Sequence, residues 1–550
     1  MLEFPTISFA LGSLTERVDA RLAAWDGEDF GARMWARDHT LWSREPIPEL
    51  TNRLGWLWLP GETGQVAGIE QFAAEVRHEA DRVVLLGMGG SSLAPEVYQA
   101  TFGNDDGYPE LQVLDSTHPE AVRGAEAMLD PVRTLFVVAS KSGGTIETLS
   151  LFRYFWRWMS DAVGQPGERF VAFTDPGSGL EALGRERGFR RIFPTPPDVG
   201  GRYSALTPFG LVPAALIGMD VRRLLRSAAA MAEACGAPVP PSANPGLRLA
   251  AAMGEAALAG RDKLTYVCSP ALEAFGGWVE QLIAESTGKQ GKGVVPVVGE
   301  PLGDPGVYSD DRVFASMTLD GEDSSGQDAA LALLEAAGHP VIRIVLHDLY
   351  DLGAEMFRSE MAVAAAGSIL GINPFDQPDV QVAKDLTKRA MSAEGLDVAI
   401  DEVSTGRPDE LADRLGEWIG TLRAGGYIAI HAYLPMDGPA TPVLEQLVAT
   451  LRDRYRAAAT LGFGPRFLHS TGQLHKGGAG NGLFLQFVDT PARDLEVPEA
   501  GFDFGKLIEG QAAGDYQALA GRRRRVLRVR LGEDPEAGVA MVRDIVTAVA

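Results

Sequence analysis

Short apolar runs that end in glycine or hydroxyl residues recur along the chain, each followed by a stretch with helical spacing. The first is RVVLLGMGGSS from Arg82, after which LAPEVYQATF places its apolar positions on one helical face. LQVLD, TLFVVASKSGG and RFVAFTD repeat the theme as far as Asp175. Apolar runs of this length bounded by turn signals read as strands buried on both faces, and strands alternating with helices predict a parallel, doubly wound sheet. A second series starts at Lys263 with KLTYVCSP and continues through GKGVVPVVGE, RVFASMTL and PVIRIVL. Further on, GGYIAIHAYL reads as another buried strand and PATPVLEQLVATLRDRYRAAA as an amphipathic helix. In RRRRVLRVRL, Arg alternates with Val and Leu, which predicts a half-exposed strand rather than a polyanion-binding patch.

These patterns divide the chain into two α/β units with helical extensions. Residues 1–60 hold Trp25, Trp35, Trp42, Trp56 and Trp58 among helix-compatible sequence, a helical extension whose aromatics suit packing on a larger body. Residues 61–240 make the first α/β domain and 241–385 the second. Residues 386–426, polar and rich in Asp, Glu and Gly, read as a connector or insertion, and 427–550 as the completion of the second domain with a C-terminal region.

At 550 residues the chain exceeds what one core sustains, and 45% hydrophobic with 23% charged residues is ordinary for a folded protein. The net charge of −24 argues against nucleic acid as a partner. Cys235 and Cys268 have no second pair, so neither a disulfide framework nor a cysteine metal site is expected, and a reducing, cytoplasmic setting fits. The N-terminus lacks a basic start with a long apolar run, and no stretch is long and apolar enough to span a bilayer; no membrane association is expected.

An acidic protein that binds a small anion must gather donors locally, and two glycine turns do so. GMGGSSLAP, Gly87 to Pro95, follows a strand and opens a helix, which presents backbone N–H groups at a helix N-terminus. Ser92 stands where a dinucleotide fingerprint needs glycine, so no nucleotide cofactor is expected. SKSGGTIET, Ser140 to Thr148, supplies hydroxyls from Ser140, Ser142 and Thr145 around Lys141, with Gly143 and Gly144 allowing close backbone approach. This is a phosphate cradle without P-loop spacing.

Together the glycine turn and SKSGGTIET resemble the sugar-isomerase (SIS) fold, and VGGRYSALTPFGL, Val199 to Leu211, resembles the glucose-6-phosphate isomerase family. The details look closest to the isomerase half of bacterial transaldolase and glucose-6-phosphate isomerase fusions, although residues 1–80 are far too few for a transaldolase barrel. The resemblance implies two SIS-type domains, phosphate contacts from Ser140, Ser142 and Thr145, a loop contact at Gly90 and Ser91, and Arg202 facing the reacting carbons. It also implies a sugar-phosphate substrate and a homodimer.

In AFGGWVEQLIAESTGKQGKG, Phe275, Trp278, Leu282 and Ile283 form an apolar stripe, and Gln281 and Glu285 lie one turn apart on another face. Aldose-ketose isomerisation needs a base that moves a proton between C2 and C1; the family pattern points to Glu285, with Gln281 beside it. GINPFDQPDVQVAKDLTK resembles the family's C-terminal signature, though DVQ replaces the usual GVE, and implies a ring-opening role for Lys384. FLHSTGQLHKGG carries His469 and His475, either of which could move a proton between the ring and C1 oxygens. Its pattern resembles the family's histidine segment, but here it follows both Glu285 and Lys384, so the loop at 467–480 is expected to fold back to them with His469 the proton carrier. The histidines have no carboxylate at ligand spacing, and no metal is expected. The reading is an isomerase of glucose 6-phosphate and fructose 6-phosphate; the alternatives are an enzyme that also accepts mannose 6-phosphate and a noncatalytic sugar-phosphate sensor.

Overall fold

The structure, a computed structural model, describes residues 5–391 and 399–548, the side chains of 380–384 excepted. Three five-stranded sheets carry the fold. In the first the strands lie in the order Glu110–Leu114, Arg82–Gly87, Thr134–Ala139, Phe170–Thr174, Arg191–Pro194, all parallel. Val84 faces Gln112 on one side and Phe136 on the other. Every residue of Thr134–Ala139 is buried, because helices cover both faces of a parallel sheet and leave no solvated side to alternate toward.

The second sheet repeats this order with Val295–Val297, Lys263–Cys268, Arg312–Leu319 and Val341–Leu346. Its far edge is covered by Thr6–Ala10, paired antiparallel to Val341–Val345. The extension expected to be helical therefore begins with an edge strand, and only then turns into helices such as Thr15–Gly27. Its tryptophans pack on the α/β body: Trp56 stacks on Tyr203 at 5.4 Å, and Trp42 Nε1 donates to the Ala364 carbonyl.

Residues 427–550 do not complete the second sheet. They form a third, in the order Glu402–Ser404, Arg525–Arg530, Gly482–Val488, Tyr427–Tyr433, Ala458–Phe463, all parallel. Ile428, Ile430, Leu483, Leu485, Leu527 and Val529 build a core of their own, so these strands satisfy one another and need no place in an older sheet. The segment 386–426, expected as a connector, contributes Glu402–Ser404 and the helix Pro408–Ile419 to this unit. The helix expected through Ala459 stops at Tyr455, where Arg456 turns left-handed (φ 51°), and Ala458 starts a strand. Arg525–Arg530 is an interior strand rather than a half-exposed one. Its Arg528 is fully buried and paired with Glu402 and Glu509, which compensates a charge that burial would otherwise make costly.

Candidate active site

In the first sheet, strand order reverses between Arg82–Gly87 and Thr134–Ala139, and the turns leaving these two strands open side by side at their carboxyl ends, where open α/β sheets bind ligands. Both turns line a cleft of about 530 Å³ that also receives Arg202, Gln281, Glu285, the Phe375–Gln377 loop and His469. All three units contribute to it. Two glycines set the fit. A Cβ at Gly90 would stand 2.2 Å from the Gly201 carbonyl oxygen, and Gly89 takes φ +54° with the His469 carbonyl where a Cβ would be, so the turn carrying Gly90 and Ser91 lies directly on the Arg202 loop and the histidine segment.

From the second turn, Lys141, Ser142 and Thr145 line the cleft. Thr145 precedes helix Ile146–Ala162 without spending its side chain on the cap, so capping does not account for the hydroxyl. Ser140 is buried beneath, its Oγ 3.0 Å from Thr145 Oγ1, and supports that hydroxyl rather than facing the cleft. Lys141 Nζ donates to Asp175 (2.6 Å) and to the Pro196 carbonyl (2.9 Å); burial lowers its pKa and Asp175 opposes the change.

Helix Phe275–Thr287 buries Phe275, Trp278, Leu282 and Ile283 and turns Gln281 and Glu285 to the cleft. Glu285 Oε2 lies 3.4 Å from Arg202 Nη1. Arg202 Nε donates to Ser286 Oγ (2.8 Å) and Nη2 to the Pro374 carbonyl (2.5 Å), so one guanidinium fixes the base helix and the loop before Phe375. Burial raises the Glu285 pKa, against the opposing fields of Arg202, His469 and Lys289.

His469 is held at both ends. Its carbonyl accepts from Gln281 Nε2 (2.7 Å), and its Nε2 lies 3.1 Å from Glu147 Oε1, which Gln511 Nε2 also reaches (2.7 Å). A carboxylate against Nε2 favours the tautomer protonated there, leaving Nδ1 to exchange a proton. The structure does not bring His475 to the cleft: its Nδ1 lies 3.0 Å from His431 Nε2 in a buried row that continues to Asp515 and Lys476. Lys384 belongs to helix Val380–Met391; its side chain lies outside the described residues.

Sequence reasoning missed Glu147, Lys289 and the cleft residues Glu49, Arg53 and Asp175. Glu147 sits inside SKSGGTIET, where a first-turn acid reads as dipole compensation. Lys289, which donates to the Asp376 carbonyl and carboxylate (2.7 Å each), sits in a glycine-rich stretch that reads as solvated; burial pushes its pKa down to about 8. Among the described residues, no group of three or more His, Cys, Asp or Glu could hold a metal ion, and no helix is long and apolar enough to cross a membrane.

The family model described as phosphoglucose isomerase matches residues 68–296. A glucose-6-phosphate isomerase of Rubrobacter xylanophilus is 30% identical over 442 residues, covering 71% of this chain and 99% of that protein. One from Carboxydothermus hydrogenoformans is 31% identical over 404 residues, covering 63% and 86%. Among solved structures, a hypothetical protein of Thermus thermophilus is similar with a TM-score of 0.61 at 26% identity, covering 70% of this chain and 100% of that one. A glucose-6-phosphate isomerase of Chlamydia trachomatis, at 19% identity and a TM-score of 0.58 over 71% of this chain and 89% of that one, shares the fold.

Proposed function

The chain belongs to the glucose-6-phosphate isomerase family, and from that premise we propose that it opens the ring of glucose 6-phosphate and converts it reversibly to fructose 6-phosphate by a base-mediated proton transfer. The observation that carries the reading is the buried Glu285–Arg202 pair facing the same cleft as the hydroxyl turn at 140–145 and His469.

In this reading the phosphate sits on Ser142, Thr145 and the amides at the start of helix Ile146–Ala162, with the turn at Gly90 and Ser91 against the sugar. His469 carries a proton from the C1 hydroxyl to the ring oxygen, assisted by Lys384, and the C1–O5 bond breaks to give the open-chain aldehyde. Glu285 takes the C2 proton as the C1 carbonyl oxygen gathers charge, the proton of the C2 hydroxyl passes to that oxygen through the enediol, and the same carboxyl delivers its proton to C1 as the C2 oxygen becomes the ketone. Arg202 stabilises negative charge developing on the enediol oxygens. A base with a raised pKa suits the task, since it must hold the proton long enough to return it.

We place the enzyme in the cytoplasm, supported by two free cysteines, and as a homodimer, which the family resemblance implies. Glu285, Arg202 and His469 all come from one chain. The test is a coupled assay that starts from fructose 6-phosphate with EDTA present. Glucose 6-phosphate should accumulate, and no turnover in either direction would overturn the reading; mannose 6-phosphate in the same assay reports the breadth of the C2 pocket.

A further inference from the structure

Three residues before His469, Arg466 opens the same short helix, Arg466–His469. Its guanidinium reaches all three units. Nη1 and Nη2 donate to the two carboxylate oxygens of Glu96, on helix Leu93–Phe102 of the first unit, with the Nη1 bond at 2.9 Å. Nη1 lies 3.2 Å from Asp115, which directly follows the first unit's strand Glu110–Leu114. On the base helix the guanidinium faces Gly277, where a Cβ would stand 3.8 Å from Nη2, and Glu280, which feels its charge and accepts from Ser470 Oγ (3.4 Å). Ser92 Oγ stands 3.3 Å from Asp115 and 3.1 Å from the Gly89 carbonyl, which carries the connection to the glycine turn.

We propose that Arg466 is the positioning residue for His469: by joining Glu96, Asp115 and the base helix on one guanidinium, it sets where the third unit's histidine enters a cleft built by the other two. The bonds to Glu147 and Gln281 fix the histidine's ring and carbonyl once the segment is in place. Arg466 adds a second anchor one turn earlier in the same helix, a two-pronged bond to Glu96 with Asp115 beside it, and so fixes the angle at which the helix meets the first unit. A planar fork that meets a bidentate carboxylate defines orientation as well as distance, which an ammonium at the same place would not. Arg466 touches no part of the proposed substrate; it acts through His469. The inference rests on the assignment of ring opening to His469.

The test is a double-substitution cycle read on two steps, the anomerisation that requires ring opening and the exchange of the C2 proton in an acyclic aldose phosphate. Arg466→Met should slow ring opening by about tenfold or more and leave acyclic exchange within about threefold, since only the histidine's step depends on it. In a His469→Asn background the same substitution should change ring opening by less than about twofold. Losses that multiply across the two backgrounds, or acyclic exchange falling as far as ring opening, would show a general structural role and overturn the inference. If His469→Asn alone leaves ring opening at the wild-type rate, the histidine assignment fails and this inference falls with it, an outcome visible in the single variant. Should Arg466→Met not fold, Glu96→Gln keeps the cation and weakens the fork, and about a threefold loss confined to ring opening is expected; equal losses on both steps would again overturn it.

Discussion

The carboxylate of Glu285 stands 3.4 Å from the guanidinium of Arg202, and neither side chain is more than 5% exposed. A buried ion pair of this kind is costly to assemble and sensitive to the loss of either member. Here it holds an acid whose proton affinity burial raises and whose partner opposes that rise.

Glu285→Gln preserves the shape of that pair and removes the base. The expected result is a loss of roughly 10² to 10⁴ in kcat with sugar-phosphate binding nearly unchanged. Steady-state kinetics and inhibition by a nonreacting sugar phosphate check it; activity within threefold of wild type would remove Glu285 from the mechanism.

In the cradle, Ser142 and Thr145 line the cleft while Ser140 stands behind Thr145. Ser142→Ala and Thr145→Ala should each weaken binding of substrate and inorganic phosphate by about 1 to 3 kcal/mol, seen chiefly as raised KM. Ser140→Ala should have a smaller effect and none in a Thr145→Ala background. Equal phosphate inhibition of wild type and both cleft variants would place the cradle elsewhere.

The pH profile should carry the two perturbed groups. Glu285 must be ionised to accept the C2 proton. With its pKa raised above the ordinary 4.5, kcat/KM should fall, as pH is lowered, at a higher pH than an unperturbed glutamate would give. On the other side Lys289, at about 8, loses its charge as pH rises and releases Asp376, next to Phe375 in the cleft wall. Lys289→Arg keeps a charge that does not titrate in this range, and should move the alkaline limb upward while leaving the acid limb in place. An unchanged alkaline limb in that variant would assign it to another group.

How much of this was readable beforehand depends on how local the signal is. The two glycine turns and the base helix with Gln281 and Glu285 were legible, because each rests on a short motif whose neighbours in sequence are its neighbours in space; the return of His469 to the cleft, across 188 residues to Gln281, was legible only through the resemblance of its segment to the family's. The third sheet was not. Tyr427–Tyr433 and Gly482–Val488 are buried on both faces, and runs of that kind do not announce which sheet they join. Its edge strands were hidden too, one in the three residues Glu402–Ser404 and the other in what read as a helix tail at Ala458. Pairings such as Arg466 with Glu96 span most of the chain, and singly each residue reads as a solvated charge. Nor does spacing tell which of two histidines six residues apart faces a cleft.

That second histidine leads to the last prediction. His475 and His431 are both buried, and burial is the first cause lowering the pKa of each, more strongly for His475, while Asp515 stays ionised between His431 and Lys476. In the unfolded chain both imidazoles titrate near the ordinary 6.5. Below that pH the unfolded state binds protons that the folded state refuses, so the two histidines' contribution to stability falls as pH falls, by about 1.4 kcal/mol per pH unit for each histidine fully protonated only when unfolded. Asp515, with a depressed pKa, contributes stability that is lost only at still lower pH and does not account for the slope between about 6.5 and 5. In denaturant unfolding, His475→Gln, which removes the most strongly depressed group while keeping an amide for His431, should therefore lower the slope of stability against pH across that window by up to about 1.4 kcal/mol per pH unit relative to wild type. The comparison is between the two proteins because buried carboxyls raised by desolvation, such as Glu280 and Glu360, act with the opposite sign in both. A slope unchanged in the variant would mean that His475 takes up its proton in the folded protein, and that the buried row from His431 to Lys476 accommodates a second charge.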